Sequence, residues 1–201
     1  MIHTIIVPGV GGSGSDHWQS WLQRQLMSCS RVSQADWNRP ILKNWVANCV
    51  AALNTAPDQL QIVSHSFGCL TSLAALAQYP TLASKVKKLL LVAPANPSRF
   101  GENGFAHESP ESYAAYFQQL RPQVQSEMII SENDPWLAFD DAKQLAHAWQ
   151  LPTRNLGQVG HINVASGFGP FPEIFPHLIA EKKSRFISNT DDGKLFFKFA
   201  I

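Results

Sequence analysis

A serine, an aspartate and a histidine, each placed just after a different strand pattern, are the residues of this chain whose types and order suit covalent chemistry. Ser66 stands in SHSFG, between the apolar residues 60–63 and a helical pattern over 67–78. A hydroxyl on a sharp strand-to-helix turn is open to a reactant. The helix behind it aims unpaired amides at the point where negative charge grows during acyl transfer. Asp134 follows the run EMIIS within SENDPW, and His161 follows a last short strand pattern within LGQVGHIN. An imidazole can take the serine proton, and a carboxylate can hold that ring in the tautomer the transfer needs. Each residue alone also has a structural explanation: Ser66 as a helix cap, Asp134 as a turn starter before Pro135, His161 as a loop histidine. Their joint occurrence in the order Ser, Asp, His, each after a different strand, favours a nucleophile, an orienting carboxylate and a general base.

The surroundings carry further expectations. Ser64 stands where the pattern G-x-S-x-G has its first glycine, and Gly68 supplies the second small residue. Glu132 is the alternative carboxylate, whereas Asp140 and Asp141 fall inside a helical pattern. The oxyanion of a tetrahedral intermediate needs donors, and the backbone N–H groups of Val10, in PGVGG, and Phe67 are the candidates. A phosphate-binding reading of GVGGSGS fails for want of the lysine and Ser/Thr of a P-loop, and its spacing does not fit GxGxxG. Trp136, Phe100, Phe105 and Phe168 are candidates for an apolar pocket wall. Asp16, His17 and Trp18 follow the glycine loop, where they either line the mouth of the site or, the reading favoured for Trp18, only cap and pack, with Asp16 as helix cap and Trp18 in the core.

The elements that must position these groups alternate between strand and helix along the chain. Strands are expected at 4–7, 32–37, 60–63, 86–92, 127–131 and 153–156. Helices are expected after Asp16, from Pro40, and at 67–78, 136–149 and 173–183, with a long aperiodic loop after residue 92. That alternation predicts an α/β fold: three layers, α/β/α, around a mainly parallel sheet of about six strands. Residues 1–184 are assigned to one domain. Residues 185–201 change in character and form an extension, either an appended hairpin around Asp192-Gly193 or an unstructured tail.

With 201 residues and 45% hydrophobic content, the chain is long enough to bury a substantial core. A net charge of +1 without a basic stripe argues against nucleic acid as a partner. No secretory leader or membrane span is legible, so a cytoplasmic location without membrane association is expected. Cys29, Cys49 and Cys69 form no CxxC pair, and no HExxH or similar cluster suggests a metal, so no cofactor is expected.

Four segments, VPGVGGSGSDHWQSW, SHSFG, ENDPW and GHINVASGFGPFPE, resemble in content and order the small serine hydrolases grouped with retinoblastoma-binding protein 9 and the bacterial YdeN-like proteins. The resemblance spans residues 2–184. It implies an α/β-hydrolase domain over these residues, without the usual N-terminal hairpin or a large cap domain and so with its strands in the order 2-1-3-4-5-6, a triad of Ser66, Asp134 and His161, and hydrolysis of a small-molecule ester or amide. Pocket-protein binding through an LxCxE-type segment does not carry over, because none of the three cysteines has the leading leucine. The alternative to an enzyme is a catalytically silent protein of the same fold that acts by interaction.

Overall fold

The computed structural model describes residues 1–106 and 111–179. β1 (His3–Val7) leads through the glycine loop to α1 (Trp18–Gln25), and β2 (Cys29–Arg31) precedes α2 (Leu42–Thr55). β3 (Leu60–Ser66) runs without a break into α3 (Phe67–Gln78), followed by the short α4 (Pro80–Ala83) and β4 (Val86–Pro94). The long segment after β4 holds a small hairpin, β5 (Phe100–Gly101) with β6 (Gly104–Phe105), and the short α5 (Ala114–Gln119). β7 (Ser126–Ile130), α6 (Phe139–Trp149) and β8 (Thr153–Asn155) complete the regular elements.

Six of these strands form one sheet in the order β2-β1-β3-β4-β7-β8, and every pairing in it is parallel. Numbered among themselves they read 2-1-3-4-5-6, as expected. The central strands are apolar on both faces because both are covered, and their residues divide by the two-residue period of a strand. Leu60, Ile62, Leu89, Leu91, Met128 and Ile130 enter the larger core beneath α2, α3 and α6. Val63, Leu90, Val92 and Ile129 enter a smaller core under α1, with Trp18 and Leu22.

Several boundaries differ from expectation, each for a local reason. The edge strand lies at Cys29–Arg31 rather than 32–37. Val32 and Trp37 are apolar because they pack against the larger core, where Trp37 meets Trp45 edge-on at 5.6 Å. The helix expected from Pro40 begins at Leu42 after an extended Ile41. The helix expected at 136–149 begins at Phe139, because Asp134 first accepts a hydrogen bond from the Trp136 amide and holds the chain in a turn. The segment expected as a helix over 173–183 is a 3-10 helix at Pro172–His177, since Pro176 lacks the amide that an α-helix would use. The turn ends at an extended Leu178, and residues 180–183 of the expected helix and the extension 185–201 lie outside the described residues. Among the described residues no helix is long and apolar enough to cross a membrane.

Candidate active site

The turn from β3 to α3 fixes Ser66 in a conformation that side chains rarely adopt, with φ 53° and ψ −124°. Such backbone strain persists only where the surroundings over-determine it. Gly68 shows how tightly they do so: a Cβ there would lie 2.3 Å from the Val7 carbonyl oxygen and 2.6 Å from that of Pro8. Gly9 makes a similar approach, since a Cβ on it would lie 2.7 Å from that of Ser66. Ser64, the departure from glycine in the motif, is accommodated because its buried hydroxyl meets that of Ser72 at 2.6 Å, and Ser72 donates to the Gly68 carbonyl.

Ser66, His161 and Asp134 are brought into one hydrogen-bonded line. Ser66 Oγ lies 2.9 Å from His161 Nε2, while His161 Nδ1 lies 2.9 and 2.8 Å from the two carboxylate oxygens of Asp134. A carboxylate only accepts, so Nδ1 carries the ring proton and Nε2 is left to accept from the serine. Asp134 and His161 are 8% and 6% exposed, which shields their interaction from water. Glu132 is placed elsewhere: it is exposed, and its carboxylate accepts from the side-chain amide of Asn155.

Asn133 and His65, which the sequence did not single out, hold this line in place together with Trp18. Asn133 accepts from the Gly160 amide at 2.7 Å and so pins the loop carrying the histidine to the loop carrying the aspartate. Trp18 is fully buried, and its indole N–H donates to the Ile162 carbonyl at 2.8 Å. His65 donates through Nε2 to the carbonyl of His161 at 3.0 Å. Burial holds the His65 imidazole neutral, well below its ordinary range, with the neighbouring His161 and His17 adding to the effect. The local signal for His65 was its place inside the elbow, where a small residue is not required and a ring can pack.

His17, not Asp16, caps α1: its Nδ1 accepts from the Gln19 amide, whereas Asp16 is exposed. Burial, then the positive charge of Arg31 and the nearness of His161, lower His17 to about 4. Arg31 also clamps the glycine loop by donating to the carbonyls of Gly12 and Ser13 at 3.0 and 2.9 Å. Between these contacts Val10 lies at the mouth of the site, with the Gly11 amide tied back to Trp37 and that of Gly12 to Gly9. Phe67 is the first residue of α3, and a first-turn amide has no acceptor within its own helix.

These groups open into a cleft of about 680 Å³. Val10, His17, Ser66 and His161 line it, as do Phe100, Phe105 and Trp136. Phe168 does not reach it; that ring packs edge-on against Phe171 in the smaller core.

A parallel sheet with a strained serine at its carboxyl edge, lined up with a buried His-Asp pair, defines the chain as an α/β hydrolase. Residues 4–180 match the serine hydrolase family, and the chain belongs to it. Within the family it is of the YdeN-like kind. YdeN of Bacillus subtilis, named as a hydrolase, is 22% identical over 182 residues, covering 85% of this chain and 90% of its own. The crystal structure of that gene product superposes with a TM-score of 0.68 at 17% identity, over 88% of this chain and 96% of the other. A protein of Pectobacterium atrosepticum described as a YdeN-like hydrolase is 28% identical, with a TM-score of 0.74 and 88% of each chain covered.

Proposed function

We propose that this hydrolase cleaves a small-molecule ester or amide through an acyl-enzyme formed on Ser66. The observation that carries the reading is the 2.9 Å contact between Ser66 Oγ and His161 Nε2, with Asp134 behind the ring. His161 takes the hydroxyl proton as Ser66 attacks the carbonyl carbon, and then gives it to the departing alcohol or amine. Asp134 keeps the imidazole in the required tautomer and stabilises the imidazolium. The amides of Val10 and Phe67 receive the developing oxyanion, a role worth on the order of 3 kcal/mol per donor in acyl transfer. Water then enters, His161 removes its proton, and the acyl group leaves Ser66 as a carboxylic acid.

Labelling with a fluorophosphonate probe tests the reading, because only an activated hydroxyl is phosphonylated rapidly. The folded wild-type protein is expected to label stoichiometrically on the peptide containing Ser66, and Ser66→Ala to lose all labelling. Absence of an adduct on the native protein would replace this reading with that of a silent interaction protein.

A further inference from the structure

We propose that the cleft selects substrates bearing a carboxylate remote from the scissile carbonyl, with Arg99 as the group that binds it. This inference rests on the serine-hydrolase reading above and adds the substrate class to it. Arg99 lies in the single 3-10 turn after β4, whose proline and asparagine cap fix its backbone at the cleft wall. Its guanidinium sits over the ring of Trp136, 4.5 Å from the centroid. Trp136 in turn meets His161 edge-on at 6.4 Å, which places the cation on the wall beside the reacting centre.

The charge pattern of this wall is one-sided. Among the described residues, the lining of the cleft contains no aspartate, glutamate or lysine, and Arg99 is its permanently charged member. Among the described residues, too, its guanidinium has no carboxylate partner and donates no hydrogen bond, its contact there being the face of Trp136. Arginine presents a planar fork of five donors that matches a carboxylate in bidentate fashion. Stacking on an indole immobilises that fork and costs none of those in-plane donors. Phe100 and Phe105, tilted at 35° with centroids 5.2 Å apart, also line the cleft and supply an apolar surface for a chain linking the carboxylate to the reacting carbonyl. Among the described residues Asp134 is the buried carboxylate, and it is already engaged by His161 and the Trp136 amide.

Two matched pairs of activated esters test the proposal. One places the charge on the acyl side, comparing the para-nitrophenyl half-ester of adipic acid with its neutral methyl ester. The other places it on the leaving group, comparing the hexanoyl ester of para-hydroxybenzoate with that of methyl para-hydroxybenzoate. In at least one pair kcat/KM is expected to favour the anionic member by about tenfold, the size of a charge-assisted hydrogen bond, and the preference should shrink with added salt. Arg99→Gln should abolish that preference, lowering kcat/KM for the anionic member far more than for the neutral one while Ser66 still labels with fluorophosphonate, and Arg99→Lys should restore part of the preference. Neutral esters preferred in both pairs would overturn the proposal, as would equal losses on both members in Arg99→Gln, which would make Arg99 a support for Trp136 and His161. Failure of labelling in the wild-type protein would instead remove the hydrolase reading beneath it.

Discussion

Replacing Asp134 by asparagine changes one atom type in a nearly closed environment, so its effect can be worked out from hydrogen-bond partners. Oδ1 of Asp134 accepts from the Trp136 amide at 2.8 Å and also faces His161 Nδ1. In Asp134→Asn the amide oxygen must stay on the Trp136 N–H, because the opposite orientation sets two donors against each other. The NH₂ group then faces His161 Nδ1 and can only donate. Nδ1 must become an acceptor, the ring proton moves to Nε2, and Nε2 now points a proton at Ser66 Oγ instead of receiving one. The expected loss in kcat is about 10⁴, or about 5.5 kcal/mol of transition-state stabilisation. Side-chain volume is unchanged, so the melting temperature should move by only a few degrees. Glu132→Gln, on the solvent side of the same strand end, should keep kcat within about twofold of wild type, as surface changes usually do. Steady-state hydrolysis of an activated ester, normalised by active-site titration, measures both variants alongside thermal melts. A folded Asp134→Asn protein within about tenfold of wild-type turnover would refute the tautomer argument, and equal losses in the two variants would leave the carboxylate unassigned.

Two further outcomes follow from the geometry. Gly68→Ala would set a methyl 2.3 Å from one backbone oxygen and 2.6 Å from another, neither of which is free to swing aside. Its unfolding free energy by urea titration should fall by about 3 kcal/mol with loss of Ser66 labelling, and wild-type stability would contradict the close approach. Acid should weaken the fold because His17, lowered to about 4, is less basic folded than unfolded. The neutral ring favours the folded state fully above pH 6.5, and that advantage is lost as pH falls toward 4, by about 3 kcal/mol from this group. His65, lowered in the same direction, adds to the slope. His17→Asn keeps a capping acceptor but removes the titration, so the difference in stability between pH 7 and pH 4.5 should narrow. An unchanged difference would show that the acid sensitivity lies elsewhere.

The three residues at the centre of the site were legible because each follows a different strand pattern, and a parallel sheet gathers its strand ends at one edge. Fold class followed from the alternation of strand and helix patterns, and strand order from the resemblance to the hydrolase core. What the sequence concealed depends on neighbours distant in the chain. Trp37 reads as strand until its contact with Trp45 explains the apolarity, and Phe168 reads as a pocket wall until Phe171 claims it. Asp16 is the better cap by residue type, yet His17 takes the role because its ring also packs against His65, 4.8 Å away. Arg99 carried no motif at all. Its interest comes from a ring thirty-seven positions further on and from the charges its neighbours lack.

The moorings of the histidine loop also set the order in which activity can arise. Trp18 reaches the Ile162 carbonyl across 144 residues of sequence, and His65 reaches that of His161 across 96. Besides Asn133 and Asp134, then, it is the first third of the chain that holds His161, and not its own edge strand, β8, whose three residues are all exposed. Contacts this distant in sequence close late, because the loop entropy they remove is large. During refolding, helix content and the burial of β3 and β4 should return before turnover does. On the ribosome, a nascent chain would hold a finished elbow with no base beside it until nearly all described residues had emerged.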